Sequence, residues 1–371
     1  MKQLLFGLAA GRCEYRGCNK QLSEDDLTKR RGKFSAFAHI VADEPGGPRG
    51  DPVLSPRLAK DLGNLMLLCL DHHRLIDVDD VPGHPVELLQ AMKKRHEDRI
   101  RRLTEIDDDH RTLLVLMAAN IGDRKGVVNP LDARAAVLPL YAVDDGVPID
   151  LAHLRVPDGD GVSWKVGVGE IDEAARRVQE ALVRGEAKHV SVFALAPIPL
   201  LMHLGRRLGD LAPGEAFQRL RSPPGWEWQP PTGAEPSFDV ACLDPAPRSK
   251  DVCLVFSVSD DVDADLVARS APAAAPRYVF RVPEPRTDVV RTRDQVAAFR
   301  TRVREFLPRL RAEHGAEVTI HVFPALPNSL AVEFGRVLLP KADPRVEVYD
   351  LNRDRGGWVH ALTLLPGLTT A

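Results

Sequence analysis

The spacing of hydrophobic residues predicts a long amphipathic helix near the end of the first third of the chain. Between residues 84 and 106, side chains suited to a buried face recur every three or four positions beside dense charge. These positions are Leu88, Leu89, Met92, His96, Ile100 and Leu103. We interpret this helix as the close of a first domain at 1–106, followed by a connector at 107–130. The apolar run at 113–121 within the connector could be a buried helix.

The rest of the chain contains an internal repeat. Residues 190–208 match residues 319–338 at an offset of 130, and further matches follow at an offset of 132. The matched pairs are Phe193 and Phe323, Pro197 and Pro327, Leu200 and Leu330, Gly205 and Gly335, Arg206 and Arg336, Phe217 and Tyr349, and Trp226 and Trp358. A match of this length indicates two copies of one structural unit.

Each copy has the element order of a βαβ unit. An amphipathic helix, at 171–185 or 295–314, precedes a strand rich in β-branched residues, a proline-containing loop, a second helix and another strand. This order predicts an α/β fold in which helices cover a mostly parallel sheet. We therefore expect a second domain at 131–371, made of two fused Rossmann-like halves at about 131–235 and 236–371.

Short apolar runs mark where these halves begin. Strands at 137–143 and 252–258 would start the first and second half, and a proline-rich linker at 230–236 would separate them. The whole chain is then predicted to be a small first domain followed by a larger duplicated one.

Composition narrows the classes of function. The chain has 50 Lys and Arg against 53 Asp and Glu, a net charge of -3, which excludes a broadly cationic surface that coats nucleic acid. No apolar stretch is long enough to span a membrane, and the N-terminus lacks a convincing signal-peptide cleavage site. The five cysteines are too few for a disulfide scaffold. We expect a cytoplasmic protein without a membrane partner.

Two pairs of soft metal ligands lie in the first 75 residues. Four residues separate Cys13 from Cys18, and two separate Cys69 from His72. Each pair can bind one ion from a single turn, and four such ligands suit a tetrahedral, structural Zn2+. His73 competes with His72 for the fourth position. Alternatively, the cysteines are ordinary buried small residues and the histidine is an exposed polar one.

The residues around these pairs resemble the HNH endonuclease family. The resemblance rests on FAHIVADEPGGPRGD at 37–51 and GNLMLLCLDHHRLID at 63–77, and it covers about residues 10–100. The order of residues in both segments looks like that of the zinc-bearing branch of the family. The resemblance implies a small ββα-metal domain that hydrolyses DNA phosphodiester bonds.

The same resemblance implies catalytic roles for His39, Asn64 and His73. His39 would be the general base, Asn64 would orient the His39 segment, and His73 would ligate Mg2+ or a similar divalent ion at the scissile phosphate. Many members of the family have an acidic metal ligand before the first histidine, where this chain has Ala38. Asn64 could instead be a helix N-cap, and a lone histidine is often a surface residue.

The position of Ala38 leaves the second protein ligand of that divalent ion open. Asp51 and Asp71 are the candidates in the neighbouring sequence.

The repeated part of the chain resembles the SAVED family. The resemblance rests on FALAPIPLLMHLG and RLRSPPGWEW in the first copy and on FPALPNSLAVEFGRVLLP and VYDLNRDRGGW in the second. It implies a sensor of two Rossmann-like halves that binds a cyclic oligonucleotide. An HNH domain followed by a SAVED domain is similar to effector endonucleases of bacterial CBASS anti-phage defence.

A ligand site is expected where strands lead into helices, because open α/β sheets bind ligands beyond the carboxyl ends of their strands and helix N-termini favour phosphate. The tryptophans could stack on bases, and the arginine could pair with phosphate. The candidate residues are Pro197, Pro199, Trp226, Ser257, Asp260, Asn328, Ser329, Arg336 and Trp358. Alternatively, each has an ordinary structural role in a turn, a core or a helix surface.

These expectations combine into one functional hypothesis. A cyclic di- or trinucleotide binds the second domain, the protein self-associates or rearranges, and the HNH domain cuts double-stranded DNA. Two alternatives remain open: a non-catalytic cyclic-nucleotide sensor with a structural zinc module, and an HNH nuclease of the restriction or repair type that cyclic nucleotides do not control.

Overall fold

The computed structural model divides the chain into two compact units, Met1–Asp107 and Asp108–Ala371. The residues that it describes are 1–25, 27–104, 108–122, 124–153, 161–210, 212–231, 237–245, 248–339, 343–352 and 355–364. Within these residues, no helix is both long and apolar enough to cross a bilayer.

Unit 1 is built around an antiparallel pair of strands. Its elements are α1 (Lys2–Leu8), β1 (Ser35–His39), α2 (Leu54–Leu58), a 3-10 turn (Leu62–Asn64), β2 (Leu65–Cys69), α3 (Leu70–Arg74), a π-helical turn (Leu75–Asp79) and α4 (Val86–Thr104). His39 lies opposite Leu65, and Ser35 lies opposite Cys69. All five residues of β2 are buried, because α3 and α1 pack against this strand. The helix expected at 84–106 is α4, whose buried face includes Leu89, Met92 and His96. Leu103, expected on the same face, is exposed near the end of the helix.

The first half of unit 2 contains a parallel sheet. Its strands are β3 (Arg111–Ala118), β4 (Tyr141–Ala142), β5 (Val147–Asp150), β6 (His189–Leu195) and β7 (Gly214–Phe217), and a two-stranded ribbon follows with β8 (Leu220–Arg221) and β9 (Pro224–Gly225). The order is β4-β3-β6-β7, and β5 also pairs with β3. The helices are α5 (Pro130–Ala136), α6 (Gly161–Val183) and α7 (Ile198–Leu208).

The second half contains a larger, mixed sheet. Its strands are β10 (Asp239–Cys242), β11 (Asp251–Ser257), β12 (Arg277–Arg281), β13 (Thr319–Ala325), β14 (Arg345–Asn352) and β15 (Gly357–Leu364). The order is β10-β12-β11-β13-β14-β15; the four inner strands are parallel and the two outer ones antiparallel to their neighbours. The helices are α8 (Ala264–Ser270), α9 (Arg293–His314) and α10 (Asn328–Val337).

Two expectations about the start of unit 2 are wrong. The apolar run at 113–121, assigned to a connector that could form a helix, lies mostly in β3, the strand that pairs with β6. A strand buried on both faces lacks the alternation of polar and apolar residues, so its sequence cannot be distinguished from a short buried helix. The strand expected at 137–143 is reduced to β4, because α5 ends at Ala136. Of the expected linker, 232–236 lie outside the described residues.

The sequence repeat has a clear structural counterpart. Phe193 stacks on Phe217 with ring centres 4.4 Å apart, and Phe323 stacks on Tyr349 at 4.5 Å. A tryptophan completes each cluster by an edge contact to its phenylalanine: Trp226 at 5.2 Å from Phe193 and Trp358 at 5.6 Å from Phe323. The matched aromatic residues therefore form equivalent parts of two hydrophobic cores.

The matched glycines allow α7 and α10 to pack closely. A Cβ atom on Gly205 would lie 1.9 Å from the carbonyl oxygen of Val332, and one on Gly335 would lie 2.0 Å from that of Met202. Neither position can hold a side chain without moving a helix backbone. This pair of helices joins the two halves into one continuous core.

Candidate functional sites

Unit 1 brings together the four predicted zinc ligands. The ligand atoms of Cys13, Cys18, Cys69 and His72 all lie within 4.8 Å of one another. The Nδ1 atom of His72 is 3.1 Å from the sulfur of Cys69 and 3.7 Å from that of Cys13. Two cysteines are buried and one is partly buried, as expected for a closed structural site. His73 is not in this cluster.

Local backbone structure explains how the ligands meet. Cys13 and Cys18 flank a tight turn that contains Gly17 at φ +80°, and the Cys18 amide donates to the Tyr15 carbonyl. Cys69 ends β2, and His72 lies on α3, which begins one residue later. Each pair therefore sits where the chain reverses direction, and β2 fixes the position of the second pair.

A partly buried hydrogen-bond chain positions the tyrosine that stacks on the histidine ligand, and no pattern in the sequence pointed to it. The ring of Tyr15 stacks on His72 at 4.1 Å, with the two planes 7° apart. The Tyr15 hydroxyl is 3.0 Å from Nε2 of His84, whose Nδ1 is 2.7 Å from the Asp80 carbonyl oxygen. A carbonyl can only accept, so His84 donates from Nδ1 and accepts the tyrosine proton at Nε2.

The electrostatics of the cluster fit a cation. Burial raises the pKa of Cys13, which opposes a bare thiolate, although amide groups of Cys69 and Tyr15 donate to its sulfur and lower the pKa in part. Burial lowers the pKa of His72, so its imidazole stays neutral and able to ligate. A bound Zn2+ would supply the charge that deprotonates the cysteines. The donor set therefore fits zinc.

His39 ends β1 with one imidazole nitrogen already engaged. Its Nε2 atom is 3.2 Å from the carbonyl oxygen of Ala59. Because a carbonyl only accepts, Nε2 carries the proton of the neutral ring and Nδ1 carries the lone pair. This arrangement leaves Nδ1 able to accept a proton from water.

Asn64 anchors the chain just after His39. Its Oδ1 accepts from the Val41 amide at 2.8 Å, and its Nδ2 donates to the Val41 carbonyl at 2.8 Å. The Ile40 amide donates to the backbone carbonyl of Asn64 at the same distance. The amide side chain is buried and held on both sides. It fixes the exit from β1, which is the geometry expected if it orients His39. The helix N-cap alternative is wrong, because the residues after Asn64 form the strand β2 and not a helix.

Arg49 links the His39 strand to the His73 segment, a role that the sequence analysis did not assign. Its guanidinium donates to the carbonyl oxygens of His39 at 3.3 Å, Ile40 at 2.7 Å and Ile76 at 2.6 Å. It also pairs with Asp77 at 2.5 Å, and the other Asp77 oxygen is 3.1 Å from Nε2 of His73. The arginine side chain is 6% exposed, so these contacts are made away from water.

The glycine-rich loop shapes this arrangement. A Cβ atom on Gly50 would lie 2.4 Å from the carbonyl oxygen of Pro45, so the tight fold of the loop requires glycine there. Arg49 next to it has a φ of 56°, in the left-handed region. Of the two candidate acidic ligands, Asp51 accepts the amides of Val53 and Leu54 at the start of α2. Asp71 is exposed on α3.

In unit 2, the predicted loop residues lie at the carboxyl ends of the strands. Pro197 and Pro199 form the start of α7 directly after β6. Asn328 donates to the Ala194 carbonyl at 3.0 Å, which links the start of α10 to the end of β6. The amide and hydroxyl of Ser329 both donate to the side-chain oxygen of Gln218, at 3.1 and 2.9 Å. These polar groups hold the two halves together at this edge.

Ser257 and Asp260 lie at the same edge of the second sheet. Ser257 ends β11, and its hydroxyl oxygen accepts from the amide of Val262 at 3.2 Å. Asp260 is exposed and accepts from the amide of Asp261 at 2.9 Å. Ser257 is thus occupied in a turn, whereas Asp260 is open to solvent.

Three of the predicted ligand residues lie elsewhere. Trp226 and Trp358 are only 2% and 7% exposed, so their rings pack in the cores of the two halves and present no open face for a base. Arg336 lies at the far end of α10 from Asn328 and donates to carbonyls of Gly209, Ala212 and Gly214. Its charge is also paired with buried Glu333 at 3.0 Å. Tryptophans and arginines repeated in both copies mark core packing here.

The duplicated α/β arrangement, with two sheets joined by α7 and α10, defines unit 2 as a pair of Rossmann-like halves. The family model for the "SMODS-associated and fused to various effectors sensor domain", SAVED, matches residues 171–364. The chain belongs to the SAVED family. No protein of curated function is similar in sequence.

Matches among solved structures include Cap4 SAVED/CARF-domain containing receptors. The one from Acinetobacter baumannii with the cyclic trinucleotide 3′3′3′-cAAA has 10% identity and a TM-score of 0.48, covering 79% of this chain and 66% of that one. The same receptor with 2′3′3′-cAAA has 10% identity and a TM-score of 0.46, covering 80% and 66%. The receptor from Moraxella osloensis has 9% identity and a TM-score of 0.45, with the same coverage. This chain spans just under two thirds of the length of these receptors.

Proposed function

We propose that this protein is a DNA endonuclease of CBASS anti-phage defence that a cyclic oligonucleotide activates. The SAVED unit would bind the messenger, and unit 1 would hydrolyse double-stranded DNA as an HNH nuclease. Family membership supports the sensor. The observation that carries the nuclease is the state of His39, which has Nε2 engaged with the Ala59 carbonyl and Nδ1 left as an acceptor.

The chemistry proposed for His39 is general base catalysis. Its Nδ1 atom would take a proton from water as the water oxygen attacks phosphorus and the P–O bond to the leaving sugar oxygen breaks. An imidazole suits this step because its ordinary pKa lies near neutral pH. Asn64 and Arg49 act as positioning residues. Arg49 binds the carbonyl oxygens of His39 and Ile40, and the Asn64 side chain binds the backbone of Val41.

His73 is suited to hold the divalent ion that such a reaction uses. One of its nitrogens contacts Asp77, and the other has no hydrogen-bond partner among the described residues; the side chain is 40% exposed. A carboxylate on the second ring nitrogen is typical of metal-binding histidines. When bound there, Mg2+ or a similar ion would stabilise negative charge on the phosphate.

Regulation requires that the ligand bind the active state more tightly than the resting state. A cyclic di- or trinucleotide would shift that equilibrium by its differential affinity, with self-association as the expected active form. Such control has a clear purpose, because a nuclease with little sequence preference would otherwise cut the DNA of its own cell.

The test is plasmid cleavage in Mg2+ with and without a panel of cyclic di- and trinucleotides. We expect at least one of them to start cutting and to raise the particle mass in light scattering. His39→Ala should lower the ligand-dependent rate by about 10²- to 10⁴-fold, because the base is lost, while ligand binding stays intact. The control is His153→Ala, which removes an exposed histidine from unit 2 and should change neither quantity.

Other outcomes would identify the alternatives. Ligand binding without cutting under any condition would favour a non-catalytic sensor. Ala38 supports this second candidate, because a buried apolar residue stands where many HNH nucleases have an acidic metal ligand. Cutting without any ligand would indicate a nuclease that cyclic nucleotides do not control. Full activity in His39→Ala would show that another residue is the base.

A further inference from the structure

A groove in unit 2 combines unpaired positive charge with an apolar wall. It has a volume of about 520 Å3 and lies between the first half of α6 and the strand β15. Its lining includes Trp164, Lys165, Val168, Arg355, Val359 and His360. The volume is within the range of about 300–1,000 Å3 that small-molecule sites occupy.

The groove lies where a ligand of this fold is expected. α6 packs against β5, and the chain leaves β5 at the carboxyl edge of the first sheet before α6 begins. β15 begins beside the carboxyl end of β14, since Gly357 pairs with Asn352. The groove is therefore formed by one element from each half, both at the edge where parallel α/β sheets bind ligands.

The two cations of the groove are Lys165 and Arg355. Lys165 and Arg355 are exposed, and neither side chain has a hydrogen bond or ion pair with another residue in the described part of the chain. By contrast, Arg176 further along α6 pairs with Glu173. His360, which also lines the groove, is paired with Glu347 at 2.6 Å. The described residues that line the groove include two cations and no carboxylate, and this charge favours an anionic ligand.

We propose that this groove binds the phosphodiester backbone of the cyclic oligonucleotide, with Lys165 and Arg355 on phosphate oxygens. Val168 and Val359 would contact the sugar or base from the apolar side. Trp164 is buried, so it packs beneath the surface of the groove and does not stack on a base. This inference rests on the proposed sensor function and assigns it a site that the sequence candidates did not include.

The experiment measures ligand affinity by calorimetry with 3′3′3′-cAAA, 2′3′3′-cAAA, cyclic di-AMP, cyclic di-GMP and linear AMP as probes. Lys165→Glu and Arg355→Glu should each weaken binding of the active cyclic probe by about tenfold or more, because each replaces a phosphate contact by a repulsion. Lys165→Arg should bind within about threefold of the unchanged protein. A glutamate near the start of α6 also suits the helix dipole, so Lys165→Glu is expected to fold.

The matched control is Lys250→Glu, an exposed lysine just before β11 at the opposite edge of the second sheet. It changes the net charge by the same amount and should leave the affinity within about twofold. Unchanged affinity in both groove variants would overturn this site while leaving the sensor function standing. No binding of any probe by the unchanged protein would overturn both, and tighter binding of linear AMP than of the cyclic probes would overturn the ligand class.

Discussion

The two units of the chain are stabilised in different ways. Unit 1 has one cluster of buried hydrophobic residues around a two-stranded sheet, and two of its cysteine ligands, Cys13 and Cys69, belong to that cluster. Unit 2 has a core that runs through both of its sheets and the helices α6, α7, α9 and α10. Long loops and a small sheet bury little apolar surface, so the binding free energy of a metal ion can contribute stability that a small hydrophobic core does not provide.

This difference also separates the two kinds of function. In unit 1, polar contacts of Asn64, Arg49 and Asp77 hold the proposed base and the proposed metal ligand. The four-ligand cluster lies in the same small unit and would stabilise it when zinc is bound. In unit 2, apolar packing of α7 on α10 and the hydrogen bonds of Asn328 and Ser329 fix the halves, and the groove between them exposes Lys165 and Arg355. Loss of the four-ligand cluster should therefore abolish the proposed nuclease activity and leave the SAVED unit folded.

The largest effect is expected from loss of the zinc ligand set. Structural zinc binding contributes about 10–16 kcal/mol to folding in small domains, so Cys69→Ser or a strong chelator should unfold unit 1. All four tryptophans lie in unit 2, which makes tryptophan fluorescence a reporter of that unit alone. We expect loss of bound zinc and rapid proteolysis within 1–107, with an unchanged fluorescence spectrum.

Cys242→Ser is the control for that experiment, because Cys242 lies in β10, outside the cluster. It should retain zinc and protease resistance. If the Cys69→Ser protein kept a full complement of zinc, or if the tryptophan spectrum shifted together with the proteolysis of unit 1, the contrast between the two units would be wrong.

A smaller effect is expected where α7 and α10 touch. Gly335→Ala places a Cβ about 2.0 Å from the Met202 carbonyl oxygen and forces the helices apart. We expect a loss of about 3 kcal/mol in the free energy of unfolding of unit 2, even though alanine favours a helix by about 1 kcal/mol. Thermal unfolding followed by tryptophan fluorescence measures this loss, and the zinc content of unit 1 should not change.

Gly169→Ala provides the matched control within α6. A Cβ at Gly169 meets nothing within 4 Å, so only helix propensity acts and the variant should be more stable by about 1 kcal/mol. Equal changes in the two variants would mean that the close approach of α7 and α10 does not contribute to the stability of unit 2.

The sequence predicted features that depend on spacing. The ligand pairs of the cluster are close in sequence and the repeat is long, so the cluster and the duplicated halves could be predicted from residue type and order. The pairing of Arg49 with Asp77 could not be predicted, since a loop and a π-helical turn bring together two residues 28 positions apart. Lys165 and Arg355 were missed because they come from different halves and match nothing in the repeat.

The sequence misled where a repeated residue had a structural cause. Trp226 and Trp358 recur because each closes a core next to a phenylalanine, and Arg336 recurs because it binds backbone carbonyls at the end of a helix. A residue that packs in both copies is matched in the sequence repeat just as one that binds ligand in both copies would be. Only the burial of the side chain distinguishes the two cases.

The smallest effects are expected from substitution of the two matched tryptophans, and they distinguish core packing from ligand binding. Trp226→Phe should cost about 2 kcal/mol of stability, because it leaves a cavity beside Phe193 and removes the contact with Arg219. Trp358→Phe should cost only about 1 kcal/mol, since it also removes a buried Nε1–H that has no hydrogen-bond partner. Both should bind the cyclic probe with unchanged affinity in calorimetry. If the tryptophans stacked on bases, losing one would weaken binding by about 1–3 kcal/mol. A tenfold weaker affinity in a stably folded variant would therefore show that the tryptophans contact the ligand.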